Sequence, residues 1–132
     1  MITIVNSQLN NDAVAALNSL MEMDIKAGAA FKLMRILKDI SSLVEDKLKM
    51  EQKILEKYVD RDDAGEPMKV YNDDGSVVDG AVKIKDMQGF QNEMQNLLTS
   101  QSSIQHEAIN FEDLGLETVK IKDLMKIDFI FA

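Results

Sequence analysis

The chain contains no cysteine. That excludes disulfides, a thiolate nucleophile and a sulfur-bound metal, and it agrees with a reducing compartment. No run of 18 apolar residues occurs, so the sequence predicts neither a membrane span nor a membrane partner. The opening MITIVNSQLNND lacks the basic start of a signal peptide. Proline occurs once, at Pro67, and histidine once, at His106. The Gly-rich run followed by Lys–Ser/Thr that cradles phosphates is also missing; Gly75, Gly80, Gly89 and Gly115 are scattered.

What remains is an ordinary single-domain length of 132 residues, 45% of them hydrophobic. The formal charge of −8 is uneven. Met1 to Val44 carries four acidic and four basic residues, whereas Glu45–Gly75 and Ser76–Ala132 each sum to −4. This balance disfavours nonspecific binding to phosphate backbones. A nucleic-acid mimic would need a regular carboxylate array, and the lysines interspersed among the acids weaken that reading.

Periodicity organises the first half. Asn10 or Asn11 can cap a short helix whose Val14, Leu17 and Leu20–Met21 form one apolar stripe. MITIV before it reads as a strand or an extended arm, and Asp24 to Gly28 as a turn. From Ala29 to Tyr58 there is no Gly or Pro, and the composition favours helix. Ile40, Val44, Leu48, Leu55 and Tyr58 recur in steps of three, four or seven, with Glu51 the interruption; Phe31, Met34 and Leu37 extend the stripe backward. Thirty helical residues span about 45 Å. Such a helix offers more apolar edge than one short partner covers. Ile40, Val44, Leu48, Leu55 and Tyr58, with Met23 and Met50, are therefore the candidate interface, and a homodimer is one way to use it. Most of the nine methionines are expected in the core. On the polar side, Lys49, Lys53, Lys57 and Arg61 make a candidate basic patch if the helix persists that far.

The acidic stretch from Glu56 to Gly80 raises the question of a calcium loop. Taking Gly65 as the invariant glycine gives Asp60 and Asp62, but Ala64 and Tyr71 where oxygen ligands are required. Taking Gly75 gives Val70 and Ala81 at the end positions. Both frames fail, and the sequence predicts no metal and no cofactor. A hairpin survives: MKVY and SVV flank NDDG, and Asp–Gly favours a tight turn. DDAGEP is an earlier turn, with Pro67 at a strand edge. VKIKD occurs at Val82–Asp86 and again at Val119–Asp123, each time reading as a strand running into a helix-capping Asp. Met87, Phe90, Met94 and Leu97–Leu98 then make a helical face that Gly89 weakens, and Leu124, Ile127 and Phe131 another. Ile104 to Phe111 reads as a further strand. These elements predict an α+β fold: an N-terminal helical hairpin with one long helix, a small, mainly antiparallel sheet and C-terminal helical segments. One domain covers 1–132, with a helical part at 1–60 and a mixed hairpin and helix part at 61–132.

Catalysis needs groups that converge. Ser102 and Ser103 lie near His106, yet adjacency in a strand does not orient a nucleophile and base. Glu107 and Asp113 could join His106 at a weak metal site, with nothing to fix it. Asp62–Asp63 and Asp73–Asp74 fall in turns, where hydration is cheap and unequal carboxylate environments are not expected. The expectation is a protein without catalytic residues, not an enzyme.

The order of features resembles a small, uncharacterised protein family of tailed phages that infect Gram-positive bacteria. The resemblance covers nearly the whole chain: DAVAALNSL, then a long helix ending MEQKILEKYVDRDDAGEPM, then NDDGSVV, VKIKDMQGFQNEMQNLLTSQSSI and INFEDLGLETVKIKDLMKIDFIFA. ILEKYVDRDDAGEP and FQNEMQNLL are its most specific parts. It carries no catalytic motif. Together with the long amphipathic helix and the missing catalytic constellation, it leads us to expect a structural or assembly accessory acting by protein–protein recognition, with the tail one place of association, in the host cytoplasm during phage growth. Its partner would be a phage structural protein or a host protein. An inhibitor that covers a host protein with its acidic surface, or a nucleic-acid-binding accessory using the basic patch, are the alternatives.

Overall fold

The computed structural model describes residues 1–116 and 118–132. The fold is α+β, with long N-terminal helices, small antiparallel sheets and C-terminal helical segments. In chain order the elements are β1 (Ile2–Val5), α1 (Asn11–Met21), α2 (Ala27–Tyr58), β2 (Lys69–Tyr71), β3 (Val77–Val82), α3 (Met87–Thr99), β4 (Gln101–Ile104) and α4 (Ile121–Lys126). Short 3-10 turns occupy Asn6–Gln8, Phe111–Leu114 and Asp128–Ile130. Two compact units result, one of Met1–Leu48 with Leu98–Ala132 and one of Lys49–Leu97. Those boundaries differ from residue 60, where the sequence pattern changes from helical to alternating.

In the first unit β1 pairs antiparallel with β4, Ile2 opposite Ile104 and Val5 opposite Gln101. Strand alternation sends Ile2 and Ile4 into the core and leaves Thr3 outside. Asn10 caps α1, its Oδ1 accepting the Ala13 N–H at 2.9 Å. Ala13, Ala16, Leu17 and Leu20 then face inward, and α1 packs along α4. From α2 the core receives Ala29, Leu33, Ile36, Ile40 and Val44, in steps of four, three, four and four. Leu114, Ile127 and Ile130 complete it from the C-terminal segment. That segment is tied down where Ile109 bridges Phe131 in parallel, with the Phe111 and Phe131 rings edge to face at 5.9 Å.

The phase of the α2 stripe corrects the sequence reading. Counting back from Ile40 by threes and fours reaches Ile36, Leu33 and Ala29, whereas Phe31 and Met34 lie on the opposite face and are exposed. Helix α2 also starts at Ala27, taking Gly28 into its first turn. The methionines depart further: six are exposed, three half-buried and none buried. Branched aliphatic side chains fill the core instead.

In the second unit the end of α2 leads into a bridge of Val59 with Ile84, and β2 pairs antiparallel with β3. The hairpin turns at Asn72–Ser76, where the Asn72 N–H donates to the Ser76 carbonyl at 2.8 Å and Gly75 adopts φ +86°. A side chain there would be strained, which is why Asp–Gly marks the turn. Asp86 caps α3 as its position after VKIKD predicts, its Oδ1 accepting the Gly89 N–H at 3.1 Å. Gly89 has a packing reason: a Cβ there would lie 2.5 Å from Asp86 Oδ2 and 3.0 Å from the Tyr58 ring. Ile54 and Val59 are the buried hydrophobic side chains of this unit.

Two strand predictions move. β4 stops at Ile104, opposite Ile2 of its four-residue partner, so no ladder partner carries it on to Phe111. It also pairs with β1 and not with the hairpin, giving two separate two-stranded sheets. The second VKIKD copy is not a strand before a cap. Helix α4 begins at Ile121 after Lys120, and Asp123 lies inside its first turn.

Candidate recognition surfaces

Lys49, Lys53 and Lys57 of the basic patch keep four-residue spacing on one exposed face of α2; the fourth member does not join them. Helix α2 ends at Tyr58, so Arg61 leaves the helical face and its Nη1 donates to the Gly65 carbonyl at 2.8 Å. Lys57 donates to Glu93 Oε1 at 2.5 Å, and the Tyr58 hydroxyl donates to the same oxygen at 2.9 Å. The Lys57 and Tyr58 hydrogen bonds hold the Glu93 carboxyl below its usual range, and Glu93 in turn raises Lys57. Lys49 and Lys53 are exposed on the helix. Arg61 is thus outside the helical face, and Lys57 is held by Glu93, which partly neutralises the basic face.

The candidate interface also divides. Ile40 is fully buried and Val44 nearly so; both belong to the core of the first unit and offer nothing to a partner. Leu55 and Tyr58 are half-buried in the second unit, where the Tyr58 and Phe90 rings meet edge to face at 6.1 Å. Met23, Leu48 and Met50 remain on the surface. Reading α2 in the wrong phase hid two further exposed side chains, Phe31 at 57% and Met34 at 48%. The Arg35 guanidinium sits 5.9 Å from the Phe31 ring centroid. The hairpin carries another pair: Tyr71 and Val77 are direct cross-strand partners, exposed by 63% and 42%. Ile121 and Met125, one turn apart on α4, make a third. The signal for these sites was the apolar residue left over once the core stripe had been phased.

His106 lies just beyond β4, not within a strand, and its Nε2 meets Asp39 Oδ2 at 2.5 Å. Beside the pair is a surface cavity of about 250 Å³ lined by Lys32, Arg35, Ile36, Gln105, His106 and Glu107. An oriented imidazole needs a nucleophile or a polarised substrate to do chemistry. The neighbouring Ser102 hydroxyl is turned to Asn6, donating to its Oδ1 at 2.5 Å. Among the described residues no group of three or more His, Cys, Asp or Glu is placed to hold a metal ion.

In the acidic stretch from Glu56 to Gly80, Asp62 and Asp74 act as turn formers. Asp62 Oδ1 accepts the Ala64 and Glu66 N–H groups, at 2.9 and 3.0 Å. Asp74 Oδ1 accepts the Ser76 hydroxyl and N–H, at 2.6 and 2.9 Å, and these bonds depress the Asp74 pKa. Such local bonds are how Asx residues shape loops.

Fold and surface together define a small acidic α+β protein with exposed apolar pairs on two of its helices and on its hairpin. No protein-family model, curated protein or solved structure matches the chain.

Proposed function

We propose that the protein is a phage structural or assembly accessory that acts by protein–protein recognition. One observation carries the recognition part: six of its nine methionines are exposed, alongside exposed Phe31, Tyr71 and Ile121. Flexible thioethers and aromatic rings at the surface suit docking, because they give large apolar contact and adapt to the shape they meet. The phage setting rests on the sequence resemblance. The pairing of Lys57 with Glu93 and the position of Arg61 beyond the helix weigh against the nucleic-acid alternative.

Affinity capture from infected cells at physiological salt, followed by mass spectrometry, tests the proposal. Stoichiometric phage structural components are the expected result. A single host enzyme in their place would establish the inhibitor reading. Nucleic acid recovered without phage structural proteins, and lost on neutralising Lys49 and Lys53, would overturn recognition of protein altogether.

A further inference from the structure

Two surfaces of this chain are complementary in charge and alike in apolar content. The first is the exposed face at the start of α2. Between Asp24 and Asp39 the only charged residues are Lys26, Lys32, Arg35 and Lys38, all exposed, in a chain whose net charge is −8. Phe31 and Met34 stand exposed among them, with Arg35 over the Phe31 ring. The second is the β2–β3 hairpin and the turn before it. From Asp60 to Asp79 there are seven carboxylates against Arg61 and Lys69. Tyr71 and Val77 stand exposed among these, side by side across the strands.

We propose that the chain self-associates head to tail, the hairpin of one copy docking on the α2 face of the next. Tyr71 and Val77 would lie against Phe31 and Met34, while Arg35 and Lys38 meet the Asp73 and Asp79 carboxylates. Aromatic and Arg side chains are the groups that dominate such contacts. The opposed potentials favour this register over face-to-face or hairpin-to-hairpin pairing, each of which sets like charges together. A second copy is the occupant because each molecule brings both halves of the fit. The two patches differ, so the contact is heterologous: every bound copy still presents one free patch, and association continues into a ring or a growing chain. The inference builds on the recognition reading above and can fail without it.

The test is sedimentation equilibrium of the wild-type protein from about 5 to 500 µM at low and high salt, the range in which contacts of this kind form. The expected result is a mass that climbs with concentration above the 14.8 kDa monomer, and that falls back in high salt. Two double variants dissect the contact: F31Q/R35Q removes the helix patch, and Y71T/V77T removes the hairpin patch while keeping strand-forming side chains. Each alone should associate at least about tenfold more weakly. Mixed, they should form a one-to-one pair that grows no further, because each keeps one working patch. A circular dichroism spectrum and melt matching wild type confirm that each variant is folded. A monomeric wild type, association of either variant alone at wild-type strength, or a mixture that does not pair overturns the proposal. So does a monomer that instead binds anionic vesicles or an acidic peptide through Phe31 and Arg35. Capture of phage structural proteins by a protein that never self-associates would remove this inference and leave the recognition reading standing.

Discussion

Ile40 separates a core role from an interface role with one substitution. Its side chain is fully buried within the stripe Leu33, Ile36, Ile40 and Val44. Ile40→Ala removes three buried carbons, each worth about 0.8 kcal/mol in transfer from water. The cavity left behind adds a further cost, so the expected loss is about 2–5 kcal/mol. That is a large share of the roughly 5–15 kcal/mol that holds a folded domain together. Ile40→Val deletes one carbon and should cost about 0.5–1.5 kcal/mol. Leu48→Ser on the same helix, at a position half open to solvent, should stay within about 0.5 kcal/mol. Urea unfolding followed by circular dichroism at 222 nm reads all three, provided the slope against denaturant stays constant across the series. If Ile40→Ala cost under about 1 kcal/mol while Leu48→Ser cost more, the phase assigned to α2 would be wrong.

Asn10→Ala should cost about 1 kcal/mol, since it strips the Ala13 N–H of its cap; thermal melts of Asn10→Ser, which restores an acceptor, should recover most of that loss. Gly75→Ala should lower the melting temperature and Gly75→Asn should lower it less, because Asn tolerates the left-handed turn; equal melts would contradict the φ of +86°. Gly89→Ala sets better helix propensity against a Cβ pressed on Asp86 and Tyr58, and a net loss of stability is expected; a higher melting temperature would show that Asp86 swings away freely. Acid should weaken the second unit. The folded Glu93 pKa is depressed, so its contribution is complete above the ordinary carboxylate range and disappears as pH falls through the lowered value. Glu93→Gln should flatten that part of the stability profile, and an unchanged acid slope would contradict the Lys57–Glu93–Tyr58 arrangement.

The elements with strong local signals were legible. Helix α1 and its Asn10 cap, the length of α2, the Asn72–Ser76 hairpin and the Asp86 cap all follow from spacing and turn chemistry that act within a few residues. Pairings between distant residues were not. Nothing local says that Ile2 will face Ile104, or that β4 must stop where its partner does. The second VKIKD copy has the sequence of the first but pairs with no strand among the described residues, and its last three residues open α4. At the surface, the phase of α2 decided everything: Ile40 and Val44 look like spare apolar edge until the stripe is anchored on Leu33 and Ile36. Phe31 looks like core for the same reason. Arg61 was lost to the patch because a helix end depends on what the following residues pair with, here the bridge of Val59 to Ile84.

The pairing of β1 with β4 also sets an order of events in time. Residues 49–97 form their unit from one continuous run, whereas the other unit needs residues from both sides of that run. Ile2 and Ile4 cannot find Ser102 and Ile104 until some hundred intervening residues have been made. Closing so long a loop is slow compared with forming a hairpin or a helix. On the ribosome the hairpin and α3 can therefore form while Leu17, Leu33 and Ile36 still lack the covering residues Leu114, Ile127 and Ile130. A nascent chain halted near residue 100 would hold those side chains bare to solvent, so chaperone contact during synthesis should concentrate on α1 and the first half of α2.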